Sequence, residues 1–329
     1  MRAFVLSNYG STDRLRMTEL ATPVPADDEV LVGVRATSVN PYDWHLMRGE
    51  PYVARLMPGG PGLRRPEITV LGCDVSGQVE AVGRNVTRFR PGDDVFALLP
   101  GGGFGEHVAV NERLLAPKPA NLSYEQAAAV PMAAVTALVS LRDSGRLTAG
   151  QTVLVNGASG GVGTFAVQIA RALGAKTTTG VCGPHNTDLV RSIGADEVVD
   201  YRADDFTRAG PRYDLIIDIA GTRPVRACRR ALTPRGTLVV VGGPGGRWIR
   251  PVDHVVSAAA LAPFVSQHIT VADTVGHADK REALATLSEL IEADLVTPVI
   301  DRQYPFEELP AAVAYQEAGH AAGKVVVSV

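Results

Sequence analysis

The 329-residue chain predicts an α/β protein: a β-rich, barrel-like N-terminal third followed by a doubly wound parallel sheet. Three observations predict it. Short apolar runs in the first 118 residues are separated by Gly and Pro, as in small barrels. From residue 152 onward, strand-like apolar runs alternate with helical patterns over short connections, which argues for parallel strands covered on both faces. A glycine-rich turn joins the first of those runs to the first of those helices.

Composition bounds the function classes. Hydrophobic residues make up 46% and charged residues 20%, close to globular averages. The net charge of −3 carries no block of one sign, which argues against nucleic acid or a membrane surface as partner. No apolar run reaches the ~20 residues of a membrane-spanning helix. Polar residues 7–10 follow residues 1–6 too soon for a secretory leader, so the start reads as a first strand. Three widely spaced cysteines, Cys73, Cys182 and Cys228, suit a reducing compartment, and a cytoplasmic location is expected.

Along the N-terminal third, residues 29–39 form a long alternating strand signal. Residues 70–83 form another, interrupted by glycines that mark bends or close backbone approaches. Arg90-Pro91-Gly92-Asp93-Asp94 is a turn, and residues 95–98 are the strand after it. A loop with Gly59, Gly60, Pro61, Gly62, Arg64 and Arg65 either bears on substrate access or is a solvated connection.

The chain is then organised by Thr152-Val153-Leu154-Val155 and the turn Asn156-Gly157-Ala158-Ser159-Gly160-Gly161-Val162-Gly163. Helical residues 164–173 follow, and Gly174 stands where a helix C′ residue would. Glycines between a strand and a helix start let backbone N–H groups hold a diphosphate that side chains would block. The turn departs from G-x-G-x-x-G, because Ala158 takes the first glycine position. Ser159, Gly160, Gly161 and Val162 are the predicted phosphate cradle.

Before the turn, residues 124–139 are helical with a break near Pro131. After it, strands are expected at 176–181, 197–200, 213–218 and 237–242, with helices around 187–193, 223–232 and 252–262. Gly242 and Gly243 end a strand, where backbone either approaches a ligand or simply turns. Residues 269–274 suit an edge strand, 281–294 an amphipathic helix, 299–305 a strand, 309–318 a helix and 323–329 a last strand. A cofactor without a 2′-phosphate usually meets an Asp or Glu at the end of the second strand. Here that place reads Cys182-Gly183-Pro184-His185-Asn186, with no acid before Asp188. A carboxylate there would repel a phosphate, so its absence favours NADPH. The turn holds no Arg or Lys either, which leaves His185 as the nearest donor or as a plain exposed histidine.

Val39-Asn40-Pro41-Tyr42-Asp43-Trp44, Gly72-Cys73-Asp74-Val75-Ser76-Gly77, Arg90-Pro91-Gly92-Asp93 and the Gly160–Gly163 turn occur in this order. Together they resemble the medium-chain dehydrogenase/reductase superfamily, and most nearly its zinc-independent quinone oxidoreductase (zeta-crystallin-like) branch. The resemblance implies a Rossmann doubly wound parallel sheet inserted in a GroES-like β-rich catalytic domain. Residues 1–118 would be catalytic, 119–276 the NADP-binding domain and 277–329 the return. It also implies Met132 and Thr136 beside the nicotinamide, or alternatively in a packing helix. Lys176 and Tyr201 would lie near the 2′-phosphate, with a strand-edge lysine and a packed tyrosine as the plainer readings. Lys324 would lie near the cofactor or in solvent; the family's preceding Arg is Ala322 here. Relatives dimerise by continuing the sheet at its edge strand, so a homodimer is expected.

No metal is expected. Metal-binding relatives carry a cysteine near Asn40 and Gly-His-Glu where this chain has Gly72-Cys73-Asp74, and no cysteine lies between Cys73 and Cys182. Cys73 then reads as a small buried residue and Asp74 as a hydrogen-bonded carboxylate. Without a metal or an evident acid–base dyad, the reducing power falls to NADPH, and a quinone or enone is the small-molecule substrate that needs least polarisation. Asn40 would orient nicotinamide or the substrate oxygen, and Tyr42, His45 or water would supply the proton. Asp43 and Trp44 read as structural. A non-catalytic NADPH-binding protein and an enoyl-thioester reductase are the other readings.

Overall fold

The computed structural model describes residues 1–56, 60–208, 210–250, 252–272 and 280–329. The chain folds as two compact units: Met1–Met132, Asp279–Glu292 and Pro298–Val329 in the first, Ala133–Ala278 and Ala293–Thr297 in the second.

In the first unit, β1 (Arg2–Leu6) and β2 (Leu15–Glu19) form an antiparallel ribbon. β3 (Glu29–Val39) is buried along almost its whole length, because it pairs with several neighbours. The helix α1 (Pro41–Arg48) follows it. No helix was expected there, although its signals are local: Asn40 as N-cap, Pro41 in the first turn and Gly49 beyond the end at φ 62°. β4 (Asp74–Val82), β5 (Asp94–Leu98), β6 (His107–Asn111) and β7 (Leu115–Pro117) complete this stretch of sheet, with antiparallel neighbours throughout. The helix α2 (Tyr124–Ala128) is capped by Ser123 Oγ, which accepts from the Gln126 N–H at 3.2 Å. Ala128 and Ala129 pack with Ala36 and Val326. This packing places the first boundary after Met132 rather than at 118.

From Ala133 the second unit takes up the rest of α3 (Pro131–Leu138), then β8 (Thr152–Asn156), α4 (Gly161–Ala172), β9 (Thr177–Cys182), α5 (Thr187–Ser192) and β10 (Glu197–Asp200). β11 (Tyr213–Asp218), α6 (Val225–Ala231), β12 (Leu232–Val240), α7 (Val252–Leu261) and β13 (His268–Val271) follow. The strands are parallel, in the order β10-β9-β8-β11-β12-β13. This is the doubly wound arrangement, and ligands bind beyond its carboxyl ends. The core strands are continuous apolar runs because helices cover both faces. Asp273, Thr274 and the expected 276/277 boundary lie outside the described residues, as does Gly59.

The chain returns to the first unit through α8 (Lys280–Glu292), β14 (Ile300–Pro305), α9 (Leu309–Glu317) and β15 (Lys324–Ser328). α8 buries Ala283, Leu284, Leu287 and Ile291, the spacing of one helical face. β15 pairs antiparallel with β3 on one side and parallel with β14 on the other. A core of Phe4, Met47, Leu71, Phe104, Phe306 and Val325 closes over that junction, with the Phe4 and Phe306 rings edge to face at 5.3 Å. Among the described residues, no helix is long and apolar enough to cross a membrane.

Candidate active site

The register of three strands builds a buried polar cluster in the first unit. Ser38 on β3 lies opposite Asp74, the first residue of β4. Val39 lies opposite Val325 of β15, which brings Lys324 beside Asn40. Asp74 Oδ2 accepts from Ser38 Oγ at 2.6 Å, Asn40 Nδ2 at 2.9 Å and Lys324 Nζ at 3.2 Å. Asp74 Oδ1 accepts from the backbone N–H of Met132 at 2.7 Å. Lys324 Nζ also donates to Asn40 Oδ1, and Asn40 Nδ2 lies 3.3 Å from Cys73 Sγ. None of Ser38, Asn40, Cys73, Asp74 and Lys324 is more than 3% exposed.

This network orients the Asn40 amide. An ammonium only donates, so Oδ1 must face Lys324, and the N–H groups then face Asp74 and Cys73. Asn40 therefore keeps no N–H for nicotinamide or a substrate oxygen, contrary to expectation. Met132 and Lys324 are likewise drawn into the cluster, the first through its backbone N–H. Asp43 is structural, as expected. It accepts from the Asn40 and Gly72 N–H groups at 2.7 and 3.1 Å, and burial pushes its carboxyl up to about 7.

Tyr42 and His45 ride on α1 outside that network. Tyr42 is half-buried, and burial holds its phenol above the usual value. It borders a cavity of about 80 Å³ with Leu46, Pro61, Glu67 and Ile68, so part of the Gly/Pro loop lines a cavity. His45 stacks on Trp44 at 3.7 Å, and its Nδ1 lies 3.1 Å from the Glu50 carbonyl. A carbonyl only accepts, so Nδ1 carries the proton. Burial lowers the pKa of the ring, so Nε2 is an acceptor in the neutral form. In that tautomer Nδ1–H is held by the Glu50 carbonyl and Nε2 is left as an acceptor.

In the second unit, the glycine turn meets the requirements of a dinucleotide cradle. No side chain caps Gly160 at the start of α4, so the first-turn N–H groups are left for an anion. Gly160 has an ordinary φ of −81°, and a Cβ there would meet only Gly157 O at 3.6 Å. Neither conformation nor packing demands a glycine, so its smallness is room for a ligand. Gly163 differs: a Cβ would lie 2.0 Å from Gly157 O, so the fold itself requires it. Ser159 Oγ accepts from Asn186 Nδ2 at 3.2 Å, which ties the cradle to the turn after β9. His185 lies in that turn, and Tyr201 lies against it: a Cβ on Gly183 would be 3.3 Å from the Tyr201 hydroxyl.

Lys176 does not join this group. It precedes β9, and the 6 residues of that strand separate it from the turn. At ~3.3 Å per residue that is about 20 Å, at the wrong end of a parallel sheet. Gly242 and Gly243 follow β12. A Cβ on Gly221 would lie 2.5 Å from Gly243 Cα, and one on Gly242 2.8 Å from Ile219 O, so these two turns pack closely. Thr136 is 7% exposed on α3.

A second buried network was missed. Asp218 ends β11 directly opposite Asn156, the last residue of β8. Its Oδ1 accepts from Asn156 Nδ2 at 2.7 Å and from the Gly221 N–H at 3.0 Å, and its Oδ2 lies 3.1 Å from His254 Nε2. The hydrogen bond to Asp218 raises the pKa of His254, against the opposing effect of burial. The only local signal is an acid closing the apolar run Leu215-Ile216-Ile217.

The first cluster does not fit a metal ion. An amide, a thiol pushed well above its usual pKa by burial, and a carboxylate already bonded to an ammonium are poor ligands. Among the described residues, no three His, Cys, Asp or Glu side chains gather as a metal group. The cradle does fit a dinucleotide.

Comparison with known proteins agrees with the fold. Residues 26–120 match the alcohol dehydrogenase GroES-like domain family and residues 193–327 the zinc-binding dehydrogenase family. The chain is 32% identical to the chloroplast envelope quinone oxidoreductase homolog of Arabidopsis thaliana, over 99% of this chain and 98% of that one. It is also 32% identical to the chloroplastic NADPH-dependent alkenal/one oxidoreductase of Arabidopsis thaliana, over 99% and 79% of the two chains. The solved quinone oxidoreductase from Coxiella burnetii superposes with a TM-score of 0.84 at 26% identity, over 100% and 99%. Relatives matched over nearly the whole chain show that it belongs to the medium-chain dehydrogenase/reductase superfamily, as a nicotinamide-dependent oxidoreductase of its quinone-oxidoreductase branch.

Proposed function

We propose that the protein reduces quinones or α,β-unsaturated carbonyl compounds with NADPH and without a metal ion. The observation that carries this reading is the Asn40–Cys73–Asp74 group closed around Lys324. A site without a metal Lewis acid suits acceptors that take hydride with weak polarisation. The names of the quinone and alkenal/one relatives support the same substrate classes.

The bound dinucleotide supplies the hydride. Ser159 and the N–H groups of Gly161 and Val162 hold its diphosphate, and Gly160, whose N–H donates to the Gly157 carbonyl, leaves it room. His185 and Tyr201 serve the 2′-phosphate, with Arg202, whose guanidinium has no partner among the described residues. Thr136, Gly242 and Gly243 serve the nicotinamide half. Tyr42, kept protonated by its raised pKa, or water delivers the proton to the reduced product. The three buried thiols support a reducing compartment such as the cytosol. A homodimer through the edge strand β13 is supported by the exposed Val256 and Phe264 on the adjoining segment. A monomeric mass by light scattering would remove the dimer.

The test is NADPH oxidation by the purified chain with 9,10-phenanthrenequinone and with a 2-alkenal, each with and without a chelator. Turnover that the chelator leaves unchanged is the expected result. No oxidation with either acceptor would sink the substrate reading, and turnover abolished by chelation would sink its metal-free part.

A further inference from the structure

We propose that Lys324 is the resident cation of the first unit's buried cluster: its ammonium takes the place of a metal ion's charge and bars a divalent cation from Asp74 and Cys73. The family description names zinc, and the disagreement lies in these residues. Asp74 is fully buried and needs a positive partner. Lys324, itself 3% exposed, supplies it at 3.2 Å while also holding Asn40 Oδ1. Lysine and aspartate together are neutral, so a divalent ion added beside them would leave two uncompensated charges in a buried site.

Removing the ammonium reverses that balance. Asp74 would lose its positive partner, Asn40 Oδ1 would lose its donor, and Cys73 Sγ already shares Asn40 Nδ2 with Asp74. A carboxylate, an amide oxygen and a sulfur would then surround the vacated volume. A divalent ion entering there forms bonds to Asp74 and to Cys73 Sγ, and the thiol proton leaves to solvent. Lys324 is thus a positioning residue for Asn40 and Asp74, and a device that closes a latent metal site. This deepens the metal-free part of the proposed function, and its test reads binding rather than turnover, so a failed reductase assay leaves it standing.

The experiment adds Co²⁺ to the full chain, to Lys324→Ala and to Lys324→Ala/Cys73→Ser, with near-ultraviolet absorption and equilibrium dialysis as readouts. The unaltered chain is expected to show no cobalt–thiolate band. Lys324→Ala is expected to retain about one equivalent with that band, and Cys73→Ser to abolish it. A band in the unaltered chain, or none in a Lys324→Ala protein with native circular dichroism, overturns the proposal. If Lys324→Ala does not fold, a cycle of Lys324→Met, Asp74→Asn and the double variant decides. Recovery of most of the lost stability in the double variant supports charge compensation, and additive losses overturn it.

Discussion

Each unit holds a fully buried carboxylate with a basic partner, Asp74 in the first and Asp218 in the second, and the two are neutralised differently. Asp74 pairs with the buried ammonium of Lys324 at 3.2 Å. Asp218 pairs with His254, whose charge comes and goes near neutral pH. Both networks also use an asparagine amide, Asn40 in one and Asn156 in the other. The difference teaches that the first network is a fixed scaffold, whereas the second is conditional on pH, although both lie beside strand ends.

The comparison can be broken most forcefully at Lys324. Lys324→Met leaves Asp74 buried without its cation, and denaturant unfolding is expected to lose about 3–5 kcal/mol. A loss below about 1 kcal/mol would mean that Asp74 does not depend on the ammonium.

His254→Gln is expected to cost less, about 2 kcal/mol at pH 6, because it removes a hydrogen bond between charged groups. The sign follows from linkage. His254 has its pKa raised in the folded state, by Asp218 first and then Asp253. Its charged form therefore contributes fully below the unfolded value of about 6.5 and is lost as pH rises through the higher folded value. Unfolding of both proteins from pH 6 to pH 8.5 should show the gap narrowing. A gap independent of pH would erase the contrast between the two networks.

Gly160→Ala sharpens the contrast between glycines kept for the fold and one kept for a ligand. Its melting temperature should match that of the unaltered chain, while NADPH affinity by calorimetry falls about tenfold, roughly 1.4 kcal/mol. Equal affinity would show that nothing approaches Gly160 closely. The smallest effect is expected at Arg202→Ala, an exposed residue beside Tyr201. NADPH should weaken about threefold against NADH, since one exposed ion pair is worth less than about 1 kcal/mol. An unchanged ratio would leave His185 and Tyr201 as the 2′-phosphate contacts.

Much of this architecture was legible locally. The strand-then-helix alternation, the break at Pro131 and the glycine turn all appear in the fold as short-range patterns. The helix α1 is legible too, through Asn40, Pro41 and Gly49, although so short a segment carries little apolar periodicity. Lys176 was assigned by likeness of position. Strand direction placed it at the far end of β9, because a parallel strand separates its two ends by its whole length.

The sequence by itself determined the elements and the uncapped, glycine-lined helix start, since backbone conformation and side-chain period are properties of neighbouring residues. Only the tertiary structure decided that Lys324 meets Asn40, 284 positions away, and that Asp218 meets His254. Those encounters depend on which strands lie side by side and in what register. Pairing β15 with β3 brought a terminal lysine to the carboxylate of β4, and no pattern within any one stretch of chain encodes that meeting.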